Sequence, residues 1–341
     1  MRAVINSHVR DLPCPEDALL DEAREALHDP SAHARFLERI EAFRTFEVRL
    51  PESGASLPDR LRIGALNAER LKRPDAVRQM MERERLDVLL LSEVDVGMAR
   101  SGNIHTIREL IGSSGEGYLY GVEFVELDLG DAEEMRRHAG ESNRCSLHGN
   151  AIVSRCAFGR PHLIPLEESG RWFGGFKGAQ RRIGGRVALA ARAVHGSKPL
   201  WFVSLHLESK TDPADRQSQV RNLLRALDRI APDEACIIGG DFNTKALPRG
   251  EGERRLLLEE PERDEPLFAD LRAAGFSWAG ANLALPTQRD GPAKTHPKPF
   301  AKLDWFFVRG VTADNPQVVP SLDAQGQPVS DHEMIVFEAV F

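Results

Sequence analysis

Polar residues of the kinds that bind hard cations and move protons recur where apolar segments end. Leu61–Leu66 runs into Asn67, with Glu69 two residues on; Asp87–Ser92 runs into Glu93. Leu200–Leu205 runs into His206, and Ala235–Gly240 into Asp241 and Asn243. Leu303 precedes Asp304, and the last apolar stretch follows Ser330, Asp331 and His332. Carboxylates are the ligands that a hard divalent cation such as Mg²⁺ prefers. A histidine titrates near neutrality, so it can carry a proton or stabilise a phosphoryl oxygen. Asp304 could hold His332 in one tautomer, as a buried carboxylate does behind a catalytic imidazole. Each residue alone has a plainer reading, as a turn Asn or a solvated Glu. Their recurrence at strand ends, where open sheets gather their sites, points to a single cleft. Residues two apart on an extended segment point the same way, so Asp241 and Asn243 are expected to enter that cleft together.

The elements that must position these groups can be read from apolar spacing. Strands are predicted over Leu61–Leu66, Asp87–Ser92, Tyr118–Phe124, Leu147–Ser154, Gly185–Val194, Leu200–His206, Ala235–Gly240, Leu303–Val308 and His332–Phe341. Helices are predicted over Pro74–Arg85, His105–Ile111, Pro213–Ile230 and Pro266–Ala274. Trp201, Val203 and Leu205 alternate with other residues, whereas Val88–Leu91 is continuously apolar and so buried on both faces. That mixture predicts an α/β protein with two sheets packed together and helices outside them. Upstream, Leu19, Leu20, Ala23 and Leu27, then Phe36, Leu37, Ile40 and Phe43, give two further helices. Pro30–Ser31 separates them, and Pro51–Pro58 reads as a linker. Residues 1–58 are therefore expected to form a helical N-terminal extension and linker, and residues 59–341 the catalytic domain.

Composition bounds the rest. The 341 residues are 41% hydrophobic and 28% charged, enough for a large core, with a net charge of -7. That charge argues against a dedicated DNA binder, which usually carries a basic face. The four cysteines (Cys14, Cys145, Cys156 and Cys236) contain no CxxC pair. A zinc knuckle is thereby disfavoured, and reduced thiols in a cytoplasmic protein are expected. Cys145 and Cys156 flank one apolar segment, which leaves a pairing between them open. The first residues, Met1–Pro13, show no apolar core of a signal peptide, and no run approaches ~18 apolar residues.

The strings Leu66–Glu69 (LNAE), Leu91–Asp95 (LSEVD), His148–Ser154 (HGNAIVS), Ser204–Leu207 (SLHL), Gly239–Thr244 (GGDFNT), Leu303–Val308 (LDWFFV) and Ser330–His332 (SDH) come in this order. In this the chain resembles the endonuclease/exonuclease/phosphatase superfamily. GGDFNT followed by a C-terminal SDH is the most specific part. The resemblance implies a four-layer α/β sandwich and hydrolysis of a phosphoester with Mg²⁺ or Mn²⁺. It assigns Glu93, helped by Asn67, Glu69 and Asp331, to the metal. It gives Asp241 and His332, with Asp304 behind, to the attacking water, and Asn243 and His206 to the phosphoryl oxygens. Asn150 of HGNAIVS would contact substrate. Apurinic endonucleases of this family place a tyrosine where this chain offers His148, which weakens an abasic-DNA reading.

Between Ser169 and Lys198 there is no acidic residue, while Arg171, Lys177, Arg181, Arg182, Arg186, Arg192 and Lys198 are basic and Trp172, Phe173 and Phe176 aromatic. A glycine-rich stretch of this kind beside a site reads as a clamp for anionic substrate, with Arg186 as the phosphate contact. A second basic stretch, Arg289–Lys302, precedes Asp304. Arg216, on the amphipathic helix Pro213–Ile230, reads instead as part of a solvated face. The acidic net charge and the aromatic loop favour a small-molecule or lipid-like phosphodiester. The basic stretches keep nucleic acid open as a partner and a DNA or RNA nuclease as the alternative. A catalytically inert binding module fits less well, since each catalytic position holds a competent residue. The oligomeric state is left open.

Overall fold

Apolar residues on both faces make Arg60–Arg70 a central strand. Leu61, Ile63 and Ala65 point into one core and Leu66 and Ala68 into another. The computed structural model describes residues 2–26, 29, 31–174 and 180–341. Of the residues used above, Met1, Leu27, Pro30, Phe176 and Lys177 lie outside these. The strands are β1 (His8–Val9), β2 (Phe46–Arg49), β3 (Arg60–Arg70), β4 (Val88–Val96), β5 (Gly117–Glu126), β6 (Leu147–Ser154), β7 (Gly159–Pro165), β8 (Arg182–Gly184), β9 (Val187–His195), β10 (Lys198–His206), β11 (Ala235–Asp241), β12 (Asp304–Arg309), β13 (Thr312–Val319) and β14 (Met334–Val340). The helices are α1 (Asp17–Glu25), α2 (Ala32–Arg39), α3 (Pro74–Arg83), α4 (Thr106–Ile111), α5 (Ala132–Arg137), α6 (Pro213–Ile230), α7 (Leu256–Glu259) and α8 (Leu267–Ala273).

Nine strands form one sheet in the order β1-β2-β5-β6-β4-β3-β14-β13, with β8 paired to β5; the other sheet runs β12-β11-β10-β9-β7. Their facing sides share a core that includes Ile63, Val88, Leu90, Phe202, Ile237 and Phe306. Helices α1 to α4 cover the outer face of the larger sheet, and α6 and α8 that of the smaller. This is the expected four-layer α/β sandwich. Val88–Leu91 is buried on both faces, as its composition requires. Two parallel pairs matter for the site. β3 lies beside β4, and β10 beside β11, in a register that sets His206 opposite Asp241. β12 then runs antiparallel to β11 and sets Asp304 opposite Asp241.

Five strands were not foreseen: β1, β2, β7, β8 and β13. Of these, β1, β7 and β13 lie at sheet edges. β7 carries Pro161 and Pro165, and β13 carries Pro316 beside a break in register. Proline is tolerated there because an edge strand has ladder donors to spare, and it masks the strand signal in the sequence. The N-terminal segment contains the two expected helices but is not purely helical. β2 pairs with β5 and β1 with β2, so residues 8–9 and 46–49 extend the larger sheet. Residues 51–58 hold no helix or strand.

The cysteine expectation needs correction. Cys14 and Cys145 form a disulfide, while Cys156 and Cys236 are free and buried. The folding of α1 and the turn before β6 against each other brings the first two together. Burial pushes the Cys236 thiol up to about 12 and that of Cys156 to about 11. Arg216 also departs from expectation: it is buried and bound through two N–H groups to Glu265, at 2.5 and 3.1 Å.

Candidate active site

The row His206, Asp241 and Asp304 crosses three adjacent strands of the smaller sheet. His332, two residues before β14, reaches over from the larger sheet. Its Nδ1 lies 2.8 Å from Asp304 Oδ2. Thr287 holds the start of β12 by accepting, through Oγ1, from the backbone N–H groups of Leu303 and Asp304 at 2.9 and 3.0 Å. Asp241 Oδ2 is the point of convergence. Asn67 Nδ2 donates to it at 3.1 Å, while His206 Nε2 stands 3.5 Å away and His332 Nε2 3.7 Å.

Burial pushes the Asp241 carboxyl up to about 6, with Asp304 adding to the rise and His332 opposing it. Burial alone would lower the His332 imidazole, but the Asp304 and Asp241 carboxylates override it and hold it well above its ordinary value. His206 goes the other way: burial, then the Arg186 guanidinium, depress it well below the usual histidine range. Arg186 Nη1 is 2.9 Å from His206 Nδ1. Since an arginine can only donate, Nδ1 accepts and the proton of the neutral ring sits on Nε2, facing Asp241.

The expectation that Asp241 and Asn243 point together along an extended segment is corrected. β11 ends at Asp241 and Asn243 adopts φ 49°, so strand alternation no longer applies. The tight turn is closed by Asn243 N–H donating to Asp241 Oδ1 at 2.8 Å. One Asn243 Nδ2 proton is spent on Leu207 O at 3.0 Å, and the other is left over.

The ends of β3 and β4 and the segment before β14 supply the carboxylates. Asn67, Glu69 and Asp331 are buried, and Glu93 nearly so. Glu93 Oε1 accepts from Asn67 Nδ2 at 3.2 Å, and its Oε2 meets the Arg70 guanidinium. Burial would raise Glu93, but Arg70, then Lys294, hold it well below the carboxylate range. Burial would likewise raise Asp331, but the His296 ring at 3.1 Å and Lys294 at 3.3 Å hold it down. Glu69 is raised by burial and by Asp331. Ser330 Oγ donates to Asn67 O at 2.6 Å and so ties the last strand to the first metal candidate.

A hard divalent cation fits this half. The donors are oxygens, and Glu69 Oε2 is buried without a hydrogen-bond partner. At Gly291 a Cβ would come within 2.7 Å of Asp331 Cβ and 2.9 Å of Glu69 Oε2, so only glycine lets that loop close over the two carboxylates. The tightest set of metal-type ligands among the described residues is instead Asp241, Asp304 and His332, within 4.8 Å of one another. There the Asp304–His332 hydrogen bond already uses one ring nitrogen, which suits proton handling better. A cavity of about 410 Å³ opens beside Glu69, Lys72, Glu134, Lys294 and His296. A slightly larger one, about 470 Å³, lies by α1 and α2 at Pro13 to Arg44, away from these groups.

Two expected substrate contacts are engaged elsewhere. Arg186 is buried against Glu123 at 3.0 Å and Glu208 at 3.3 Å, so its visible work is to hold His206. Asn150 Nδ2 donates to Val187 O at 2.9 Å and Glu123 Oε1 at 3.2 Å, while its Oδ1 is buried and unpartnered. The other arginines of the basic stretch are similarly spent. Arg171 pairs with Asp215, Arg181 with Asp128, Arg182 with Glu126 and Arg192 with Glu234, at 3.0, 2.5, 3.0 and 3.0 Å. Trp172 and Phe173 are buried, the latter against His33 and Phe36. The second basic stretch does reach the site, through Lys294 and His296. Sequence reasoning missed Arg70 and Glu134. Arg70 directly follows the quoted LNAE string; Glu134 carries no signal there.

The chain belongs to the Endonuclease/Exonuclease/phosphatase family, whose description matches residues 63–332. The most similar solved structures include an endonuclease/exonuclease/phosphatase from Beutenbergia cavernae, at 20% identity, 83% of this chain, 72% of that one and TM-score 0.56. Another is the human Nocturnin catalytic domain with bound sulfate, at 15% identity, 87% and 97% coverage and TM-score 0.54. D. rerio TDP2 complexed with single strand DNA product aligns at 18% identity, 83% and 100% coverage and TM-score 0.52. At these identities the likeness is one of fold. No curated protein sequence matches the chain. Among the described residues no helix is long and apolar enough to cross a membrane.

Proposed function

We propose that the chain hydrolyses a phosphoester by in-line attack of water, using Mg²⁺ or Mn²⁺ held by Asn67, Glu69, Glu93 and Asp331. The observation that carries this is the convergence of Asn67, His206 and His332 on Asp241 Oδ2, at 3.1, 3.5 and 3.7 Å. At neutral pH Asp241 is ionised and His332 cationic by the directions given above. Asp241 is then the proton acceptor for the attacking water, and His332, held by Asp304, donates toward the phosphoryl group. His206, through Nε2–H, and the remaining Asn243 N–H stabilise charge as it develops on the phosphoryl oxygens. A bound cation would polarise the phosphoryl oxygen and steady the leaving group.

A small-molecule or lipid-like phosphodiester is the favoured substrate. Arg171, Arg181, Arg182, Arg186 and Arg192 are each bound to a carboxylate, so they do not form an open basic track for a polynucleotide. Nuclease activity is the second reading, favoured by the fold shared with TDP2 in its DNA complex. Turnover of bis-p-nitrophenyl phosphate, nicking of supercoiled plasmid and cleavage of short RNA should be compared with and without EDTA. Metal-dependent diester turnover without nicking or RNA cleavage is expected. Nicking or RNA cleavage alone would replace the first reading with the second, and no turnover of any substrate would leave a binding module.

A further inference from the structure

Glu93 shares its charge with a resident cation. The Arg70 guanidinium that meets its Oε2 is 8% exposed and arrives by a costly route. Glu69, Arg70 and Leu71 hold φ of 46, 71 and 50°, a left-handed run without glycine, and Glu93 itself sits at 54°. Such residues are strained and persist where their surroundings over-determine them. One of those surroundings is Glu134, whose Oε1 lies 3.4 Å from Arg70 Nε. Glu134 is itself rigidly placed. Its Oε2 accepts from Asp131 N–H at 3.0 Å, in the capping box that opens α5, and from Arg100 Nη1 at 3.0 Å. Arg100 is fixed in turn by Asp95 and Glu126, at 2.8 and 3.2 Å.

We infer that Glu134, acting through Arg70, sets how much of the Glu93 carboxylate charge is available to a divalent cation; this rests on the metal-dependent reading above. A guanidinium between two carboxylates in a buried setting divides its attraction between them. The more firmly Glu134 holds Arg70, the less Arg70 neutralises Glu93. The guanidinium stays charged throughout the physiological range, so the setting is fixed by geometry. Arg70 is the competitor of the cation at Glu93, and Glu134 is a positioning residue that restrains the competitor.

The test is calorimetric titration of the full chain with MnCl₂ alone, for wild type, Arg70→Gln, Glu134→Gln and the double variant, with melting curves to verify folding. Arg70→Gln should bind Mn²⁺ more tightly and Glu134→Gln more weakly, each by on the order of tenfold, as directly coupled charges do. The double variant should lie close to Arg70→Gln, because Glu134 then acts only through the half-buried Lys72, 3.6 Å from Glu134 Oε1 and 3.9 Å from Glu69 Oε1. If the two single effects add in the double variant, both charges act independently through space and the inference is overturned. Glu134→Gln keeps the Arg70–Glu93 pair and stands alone should Arg70→Gln not fold; binding as tight as wild type or tighter would also overturn it. Wild-type protein that takes up no Mn²⁺ would remove the metal reading itself, a distinct result.

Discussion

The two sheets contribute opposite halves of the site. The larger sheet brings Asn67, Glu69, Glu93 and Asp331, and beside them Arg70, Lys294 and His296, so that nearly every charge there has an opposite at hand. The smaller sheet brings His206, Asp241 and Asp304 in a straight row across three paired strands, with few charges and much burial. The first half is assembled from strained backbone, with Glu69, Arg70, Leu71 and Glu93 all at positive φ. The second is assembled from regular ladder geometry up to Asp241. A dense ionic half suits holding a cation, whereas a dry half shifts proton affinities through burial. His332 spans the two, lying in sequence beside Asp331 and in space on Asp304.

The comparison breaks most sharply at the dyad. Asp304→Asn and His332→Ala should each lower kcat on the order of 10³-fold at saturating metal, as loss of a placed acid–base group does. The double variant should lose little more than the worse single one; losses that multiply would show two independent residues. On the ionic side, Glu93→Gln keeps size and removes charge. Its loss should exceed the roughly 100-fold that outer partners of metal ligands cost, and raised Mg²⁺ should partly restore turnover. Unchanged activity at limiting Mg²⁺ would take Glu93 out of the metal site. Arg186→Met tests the boundary between the halves. His206 loses the donor that fixes its tautomer, so kcat should fall roughly 10-fold or more. Glu123 and Glu208 are left buried without their partner, which destabilises by roughly 3–5 kcal/mol. A variant with unaltered melting temperature would mean that the buried pairs are not what holds this region.

The smallest effect is expected at Lys302, buried behind the dyad with its Nζ donating to Asp304 O at 3.1 Å. Burial depresses its pKa from 10.5 to about 7, against the pull of Asp304. Between those values the unfolded chain binds the proton that the folded chain does not, so stability rises with pH across that window. Below about 7 the full cost of a buried ammonium is felt. Lys302→Met should therefore melt a few degrees higher than wild type at pH 7. The advantage should shrink towards pH 10. An equal difference at both values would mean that the ammonium stays charged in the fold.

Most of the sandwich was legible because its central strands are apolar on one or both faces. Leu147–Ser154 and Pro213–Ile230 match the expected bounds residue for residue. What escaped was edge structure such as β7 and β13, where proline breaks the pattern. Also hidden were the partners of charged side chains, which depend on contacts far apart in sequence. Arg186 and Arg216 look alike from sequence, as basic residues near a site or on a helix. In the fold both are buried and bound to carboxylates more than 20 residues away. The ten polar residues named first could be picked out because each follows or precedes an apolar run. The ions that tune them were not, since Arg70 is aimed by a backbone conformation that no side-chain pattern announces.

The bond between Cys14 and Cys145 spans a sequence separation of 131. It closes residues 14–145 into a covalent ring that includes β2, β3, β4 and β5. In a chain-entropy picture a ring of this size removes about 5 kcal/mol of freedom from the unfolded state. A single cut within it, for example in residues 51–58, would leave both pieces joined until the bond is reduced. The start of the chain is thereby fastened to the turn that leads into His148 and Asn150.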